Sequence, residues 1–454
     1  MTRYRRDPSW RAPERADGRG AVVIAGSPLR LFRVSTGGAQ VLALAETGEQ
    51  PPTDTVTRML DRFVEAGALH PVHEAGPYSP ADVTVVVPAF GEIPPLHAGV
   101  RIIVVDDGSA PPLQLPPDSP PSVTLTRVEA NAGPAAARNA GLDQVTTPLV
   151  AFLDTDVQVQ DGWLDALLPH FADPRVVLVA PRVCSATGAS GLSRYEATHS
   201  PLDLGAHPAR VAAGTRVSYV PAAALVCRTD VLRAAGGFDA DMRVGEDVDL
   251  VWRLTELGHR CRYEPESTVH HRPRPTWPAL FRQRMGYGRS AAPLAQRHPG
   301  ALAPVRMSGW SAGVWALVAA RRPMWALALA AGTTAALVRK LRHVPPTESV
   351  RLATLGHLAA GRQLANAVTR VWWPLALVVA VFVPKSRALL IAAVAAPPGA
   401  DALRSRSVAP LRDAPLRWAD DMAYATGVWQ GVLREREPGP LTPGFTTWPR
   451  RGDG

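Results

Sequence analysis

Two runs, VTVVVPAF (83–90) and RIIVVDDGS (101–109), are apolar at nearly every position rather than at every second one. A strand wetted on one face alternates polar and apolar residues. A strand that is apolar throughout must be covered on both faces, as in a parallel sheet flanked by helices. The next segments keep this rhythm. SVTLTRV (122–128) reads as a third strand, NAGPAAARNAGLDQV (131–145) as a helix with Pro134 in its first turn, and PLVAFLD (148–154) as a fourth strand. WLDALLPHF (163–171) reads as a helix, and RVVLVAPRV (175–183) and VSYVPAAALVCR (217–228) as later strands. Alternation of this kind predicts a doubly wound α/β sheet, in which ligands bind at the carboxyl ends of the strands. Asp106, Asp107, Asp154 and Asp156 all fall at such ends.

The flanks differ in character. Residues 1–20 are charged and read as a disordered tail with no apolar core that would suit a cleaved signal. AVVIAGSPLRLFRVS reads as two short strands around a Gly-Ser-Pro turn, and GGAQVLALAETG as a helix stopped by Gly48. A second helix follows, with Thr53 or Asp54 as N-cap and Val56, Met59, Leu60, Phe63 and Val64 on one face, leading to a strand that starts near Leu69. Residues 21–74 thus form a small winged-helix-like module. The connector HEAGPYSPAD separates it from the main domain at 80–300. From about 301 to 400, SGWSAGVWALVAA, MWALALAAGTTAALV and WWPLALVVAVFV are apolar and flanked by Trp, but each is shorter than the roughly 20 residues a spanning helix needs. With basic residues in every connection, they read as helices lying on or dipping into a membrane surface, and buried core helices are the alternative. The stretch 401–454 is rich in Arg and Pro and reads as irregular except around RWADDMAYATGVWQGVLRE.

The formal net charge is +9, from 49 Lys and Arg against 40 Asp and Glu, with Lys only at 340 and 385. Such a balance favours phosphates or anionic lipid. No zinc-finger spacing, RNP motif or basic heptad helix is present, so nucleic acid is not an expected partner. Cys184, Cys227 and Cys261 are widely spaced without a C-x-x-C and supply no metal framework.

Four stretches carry chemistry. VVDDGS ends the second strand, NAGPAAARNAGL opens a helix carrying Arg138 one turn in, FLDTDV supplies two carboxylates, and GGFDADMRVGEDVDLVWRLTELG places Glu246 and Asp247 at a helix start. In extended chain, Asp154 and Asp156 would point to one side, and two hard oxygen donors suit Mg²⁺ or Mn²⁺ carrying a phosphate. A polar strand exit is the plainer reading of an isolated pair. Asp247 near a helix N-terminus would have its ionised form favoured by the helix dipole.

In order and spacing these stretches resemble the family 2 glycosyltransferases over residues 82–300. The resemblance implies a GT-A nucleotide-sugar (Rossmann-like) fold and inversion at the anomeric carbon. It also implies roles for individual residues. Pro88, Asp107, Arg138 and Asp154 would bind the nucleotide sugar, with Asp107 on uracil, Arg138 near base and diphosphate, and Asp154 on ribose. Asp156 would ligate the metal, His271 (rather than His270) of STVHHRPRP would complete that site, and Asp247, with Glu246 beside it, would be the catalytic base. RQRMGYGRS has Gly286 where processive synthases carry the Arg of Q-x-x-R-W, which disfavours a processive polymerase. GEIPPLHAG is short for the crossover between the first two strands. The N-terminal module looks like PqqD-like precursor-binding domains. Joined to this transferase, it resembles the mycofactocin-biosynthesis glycosyltransferases, which implies UDP-glucose as donor and a peptide-derived redox cofactor precursor as acceptor, at the cytoplasmic face of the membrane. The alternative is an envelope sugar transferase acting on a lipid-linked acceptor.

Overall fold

The computed structural model describes residues 2–13, 20–93 and 99–447. The chain divides into two compact units, one comprising residues 1–12 and 23–275, the other residues 13–22 and 276–454.

The first unit opens with β1 (Arg3–Arg6), β2 (Ala21–Ala25), β3 (Arg30–Val34), α1 (Thr36–Thr47), α2 (Asp54–Glu65) and β4 (Leu69–Val72). Local rules account for the helices. Ser35 and Thr53 cap their N-termini through side-chain oxygens, and Gly48 ends α1 in the left-handed conformation. Leu60, Phe63 and Val64 of α2 are buried with Leu42, Val23 and Leu69. The expected disordered tail needs correcting, because Arg3–Arg6 pairs antiparallel with β4, Arg6 opposite Leu69. That tail reads as disordered because three arginines around a single tyrosine give no strand periodicity. Pairing, with the Asp7 carboxylate held by His70 and Arg216, orders it instead. Residues 14–19 of the expected tail lie outside the described residues.

The same unit holds the main sheet. Its strands are β5 (Val83–Ala89), β6 (Arg101–Asp107), β7 (Val123–Val128), β8 (Leu149–Leu153), β9 (Val157–Gln158), β10 (Val176–Ser185), β11 (Ala209–Val211), β12 (Ala224–Arg228) and β13 (Arg260–His271). They lie in the order β11-β13-β10-β12-β8-β5-β6-β7, with β9 paired to β13. β8, β5, β6 and β7 are parallel, as the unbroken apolar runs predict. β12 runs antiparallel between β8 and β10, so the sheet is mixed. The helices of this part are α3 (Pro134–Gln144), α4 (Gly191–His199), α5 (Thr229–Ala234) and α6 (Glu246–Glu256).

WLDALLPHF is not an α-helix. Turns lead into a 3₁₀ turn at Leu168–Ala172, where Pro169 removes a backbone donor. Leu167, Leu168 and Phe171 are still buried against the sheet. The connector 73–82 separates the small module from the sheet in sequence only. Asp61 and Glu65 of α2 meet Arg260 of β13, and the Tyr78 hydroxyl accepts from Arg228. Residues 94–98 of the short crossover lie outside the described residues.

The second unit is helical: α7 (Trp277–Arg289), α8 (Ala291–Arg297), α9 (Gly309–Ala319), α10 (Pro323–Lys340), α11 (Pro346–Arg370), α12 (Trp373–Phe382), α13 (Arg387–Ser405) and α14 (Ala409–Glu435). Two short strands, β14 (Arg306–Ser308) and β15 (Gly444–Thr447), pair parallel. The expected irregular stretch from 401 therefore needs correcting: α13 continues to Ser405 and α14 runs 27 residues with Pro415 inside it. Packing outweighs the proline. Gly427 and Gly431 of α14 meet α7 so closely that a Cβ on Gly427 would overlap the carbonyl oxygen of Met285. Among the described residues no single helix is long and apolar enough to cross a membrane. The pair Pro346–Arg370 and Trp373–Phe382, bent by 87°, reaches that length and composition only together.

Candidate active site

The acidic strand ends gather on one side of the sheet through topology rather than local sequence. Asp106 and Asp107 close β6, and both are buried. Asp106 holds its own loop, accepting from the backbone N–H groups of Ser109 (2.9 Å) and Leu113 (3.2 Å) and from Arg127. Asp107 reaches across to the start of α3, where its two oxygens accept from the N–H groups of Ala132 (2.8 Å) and Gly133 (2.9 Å). Gly133 has φ +94°, a conformation that only glycine adopts readily. Pro88, next to last in β5, pairs in register with Val105 and is half-buried.

The pair Asp154 and Asp156 departs from the extended geometry expected of it. β8 ends at Leu153, and Val157 N–H donates to Asp154 O (3.1 Å), closing a turn over residues 154–157. The i, i+2 rule applies to strands, so the two carboxylates here take different partners. Asp154 Oδ1 accepts from Arg138 Nη2 (2.7 Å). Asp156 Oδ2 lies 3.1 Å from His271 Nε2 and 3.4 Å from Arg274 Nη2. Backbone pairing secures the second arrangement: β9 pairs with the end of β13, and Arg272 N–H donates to Asp156 O (2.8 Å). Side chains alternate along β13, and His271 rather than His270 meets Asp156. Burial alone would raise the pKa of Asp156. The hydrogen bond and charge of His271, with Arg274, outweigh burial and hold the carboxyl below its usual range.

Arg138 ties the two halves of the site together. It is 3% exposed, and its Nη1 donates to Glu246 Oε1 at 2.7 Å while Nη2 holds Asp154. Its guanidinium also lies over the Phe238 ring at 5.3 Å, and its Nε is buried without a partner. Burial works against the charge, but the Asp154 and Glu246 carboxylates outweigh it and raise the pKa further. Both terminal nitrogens are therefore committed to carboxylates.

Asp247 is the second residue of α6, after Gly245 in the left-handed conformation. It accepts from Val248 N–H (2.8 Å) and Ala222 N–H (3.2 Å). The helix N-terminus does not set its charge. Burial, then the neighbouring Glu246 carboxylate, raise its pKa to about 7 against the opposing effects of Arg138 and the two N–H groups. Such a carboxyl can take a proton near neutral pH.

Asp156 and His271 offer an oxygen and a nitrogen donor, and among the described residues no group of three or more His, Cys, Asp or Glu could hold a metal ion. Two protein donors suit a divalent ion whose remaining positions are filled by water and phosphate oxygens. Sequence reasoning passed over three residues that shape the site: Phe238 against Arg138, Glu196, and Arg274. HHRPRP carried the only signal for Arg274, since its arginine lies three residues beyond a proposed ligand. Cys184, Cys227 and Cys261 are all free thiols.

A buried sheet with acidic strand ends, an Asp paired with a His, and a carboxyl poised near neutrality define a group-transfer enzyme of the nucleotide-sugar type. Residues 84–229 match the model of glycosyl transferase family 2. Over 453 residues the chain is 40% identical to the pre-mycofactocin glycosyltransferases of two Mycobacterium tuberculosis strains, CDC 1551/Oshkosh and ATCC 25618/H37Rv, covering 95% of this chain and 96% of each of theirs. It is also 30% identical over 118 residues to the succinoglycan biosynthesis protein ExoA of Rhizobium meliloti strain 1021, covering 22% of this chain and 36% of that one. Among solved structures, a mannosyltransferase from Pyrobaculum calidifontis in complex with GDP-Man and Mn²⁺ aligns at 16% identity and TM-score 0.39, over 80% of this chain and 91% of that chain. The chain belongs to the family 2 glycosyltransferases with the GT-A fold and, within them, to the group of the pre-mycofactocin glycosyltransferases.

Proposed function

We propose that this chain is an inverting hexosyltransferase that moves glucose from UDP-glucose onto a peptide-derived redox cofactor precursor in mycofactocin biosynthesis. The observation that carries the reading is 40% identity over nearly the full length to relatives named for that step. Asp107 and Pro88 line the base side of the donor site, and Asp154, fixed by Arg138, faces the ribose. Asp156 and His271 would hold Mg²⁺ or Mn²⁺, whose charge offsets the negative charge growing on the departing diphosphate. Asp247 takes the proton of the attacking acceptor hydroxyl as the C1–O bond to the diphosphate breaks and the new C1–O bond forms on the opposite face. Glu246 keeps Arg138 in place and, by its charge, makes Asp247 a better proton acceptor.

We also propose that the second unit rests on the cytoplasmic face of a membrane, as a peripheral or integral partner through residues 308–396. Leu375, Leu377, Val378, Val381 and Phe382 of α12 are exposed together, with Lys385 and Arg387 close behind.

The test of the transfer reading is UDP release from a panel of UDP-sugars, with and without Mn²⁺, using mycofactocin-pathway intermediates as acceptor. The expected result is metal-dependent release from UDP-glucose that Asp156→Ala and Asp247→Asn each reduce by at least about a hundredfold. Release that requires a lipid-linked acceptor would replace the mycofactocin reading with an envelope enzyme.

A further inference from the structure

The proposed chemistry leaves a charge on the diphosphate that cationic donors must meet, and the arginine expected there is committed elsewhere. Arg138 is buried, with both terminal nitrogens on carboxylates. Arg274 differs in each respect. Its side chain is 38% exposed, and its guanidinium stands 3.4 Å from Asp156 Oδ2, longer than a well-made charged hydrogen bond. It therefore has donors free to turn toward a phosphate.

The backbone beneath it is stiff. Pro273 and Pro275 flank Arg274, fixing their own φ and keeping Arg272 and Arg274 extended. The segment is latched at both ends. Arg272 N–H donates to Asp156 O, and Arg274 N–H donates to Glu196 Oε2 (3.0 Å). Glu196, on α4, is 5% exposed. A buried carboxylate directed at the backbone of an exposed, proline-flanked arginine is a costly arrangement for a surface loop, and it reads as positioning of that arginine.

We infer that Arg274 is a substrate-binding residue for the diphosphate of the nucleotide sugar, held in position by Glu196. The inference rests on the nucleotide-sugar reading above. As the bond from C1 to the β-phosphate oxygen breaks, its electron pair stays on that oxygen, and the acceptor proton goes to Asp247. Arg274 donates to the phosphate oxygens throughout and remains protonated, because guanidinium does not titrate in this range. Such a contact strengthens as charge develops, so it favours departure as well as binding.

Titration calorimetry on the full chain with Mn²⁺ separates the possibilities, using UDP, UMP and uridine against wild type, Arg274→Gln, Glu196→Gln and the double variant. Arg274→Gln is expected to weaken UDP about tenfold, the loss of one charge-assisted contact, and to leave UMP and uridine within twofold. Glu196→Gln is expected to weaken UDP in the same selective way, and the double variant to lose no more than Arg274→Gln alone, because both act through one contact. Equal UDP affinity in wild type and Arg274→Gln, or an equal loss for UDP and uridine, would overturn the role of Arg274 while leaving the donor reading intact. Failure of wild type to bind UDP, with GDP or another nucleoside diphosphate bound instead, would overturn the uridine donor. The same variants would then be read against that nucleotide, and an unchanged affinity there would overturn Arg274 as well.

Discussion

Asp247, proposed above as the catalytic base, shows how burying one carboxyl costs stability. Its pKa in the folded chain is raised to about 7, first by burial and then by Glu246. An unfolded Asp titrates near 4. A raised folded pKa means that the protonated form is preferred on folding, so this residue's contribution is fully present below about pH 4 and is lost as pH rises through about 7. Asparagine at 247 does not ionise. The melting temperature of Asp247→Asn relative to wild type is therefore expected to climb between pH 4 and 8, even if losing one acceptor for Ala222 or Val248 N–H lowers its absolute value. Differential scanning fluorimetry across that range checks this, and parallel curves would disprove the raised pKa. Wild-type kcat/KM is expected to rise with pH through the same region. The sequence marked Asp247 as a candidate from its place in the E-D pair. It gave the wrong sign for its environment, because the helix N-terminus is local and visible while burial, the largest cause of the rise, is not.

At the level of elements, local signals were sound where the chain decides for itself. The caps at Ser35 and Thr53, the stop at Gly48 and the unbroken apolar strands all follow from short stretches. They failed where packing overrides propensity. Pro415 sits within α14 because that helix lies along α7 on a seam of small residues, Gly288 facing Tyr424 and Gly427 facing Met285. Gly427→Ala, favourable in an isolated helix, is expected to destabilise this pairing by about 3 kcal/mol, since the methyl group overlaps backbone that cannot yield. Chemical denaturation with helicity as the signal measures it. A neutral or stabilising result would mean that α7 and α14 can separate at little cost. WLDALLPHF failed for the opposite reason: its apolar residues are buried as expected, but Pro169 divides the segment, and burial does not require a helix.

For the whole molecule, the consequence to test is where the chain works. Aliphatic and aromatic residues exposed on α12, with basic residues at its end and a formal net charge of +9, match an anionic membrane surface better than bulk water. Sedimentation with phosphatidylglycerol vesicles is expected to exceed that with phosphatidylcholine. Val378→Asp with Phe382→Asp is expected to lower it at least about a hundredfold, roughly the loss of two buried apolar side chains. Equal partition of wild type and variant would remove α12 from the contact.

What the sequence determined by itself is what periodicity and strand-end chemistry can encode: a helix-covered parallel core, acidic residues at carboxyl ends of strands, and a motif order that points to one family. Tertiary structure alone decided which charges meet. β12 inserts antiparallel beside β8, Asp154 turns to Arg138 while Asp156 turns to His271 and Arg274, and a module set off by a proline-rich connector docks through Asp61 and Glu65 on Arg260. The reason is physical. Periodicity reports which face of a segment leaves water, whereas the partner and pKa of a charged side chain depend on groups brought near it by chain distant in sequence.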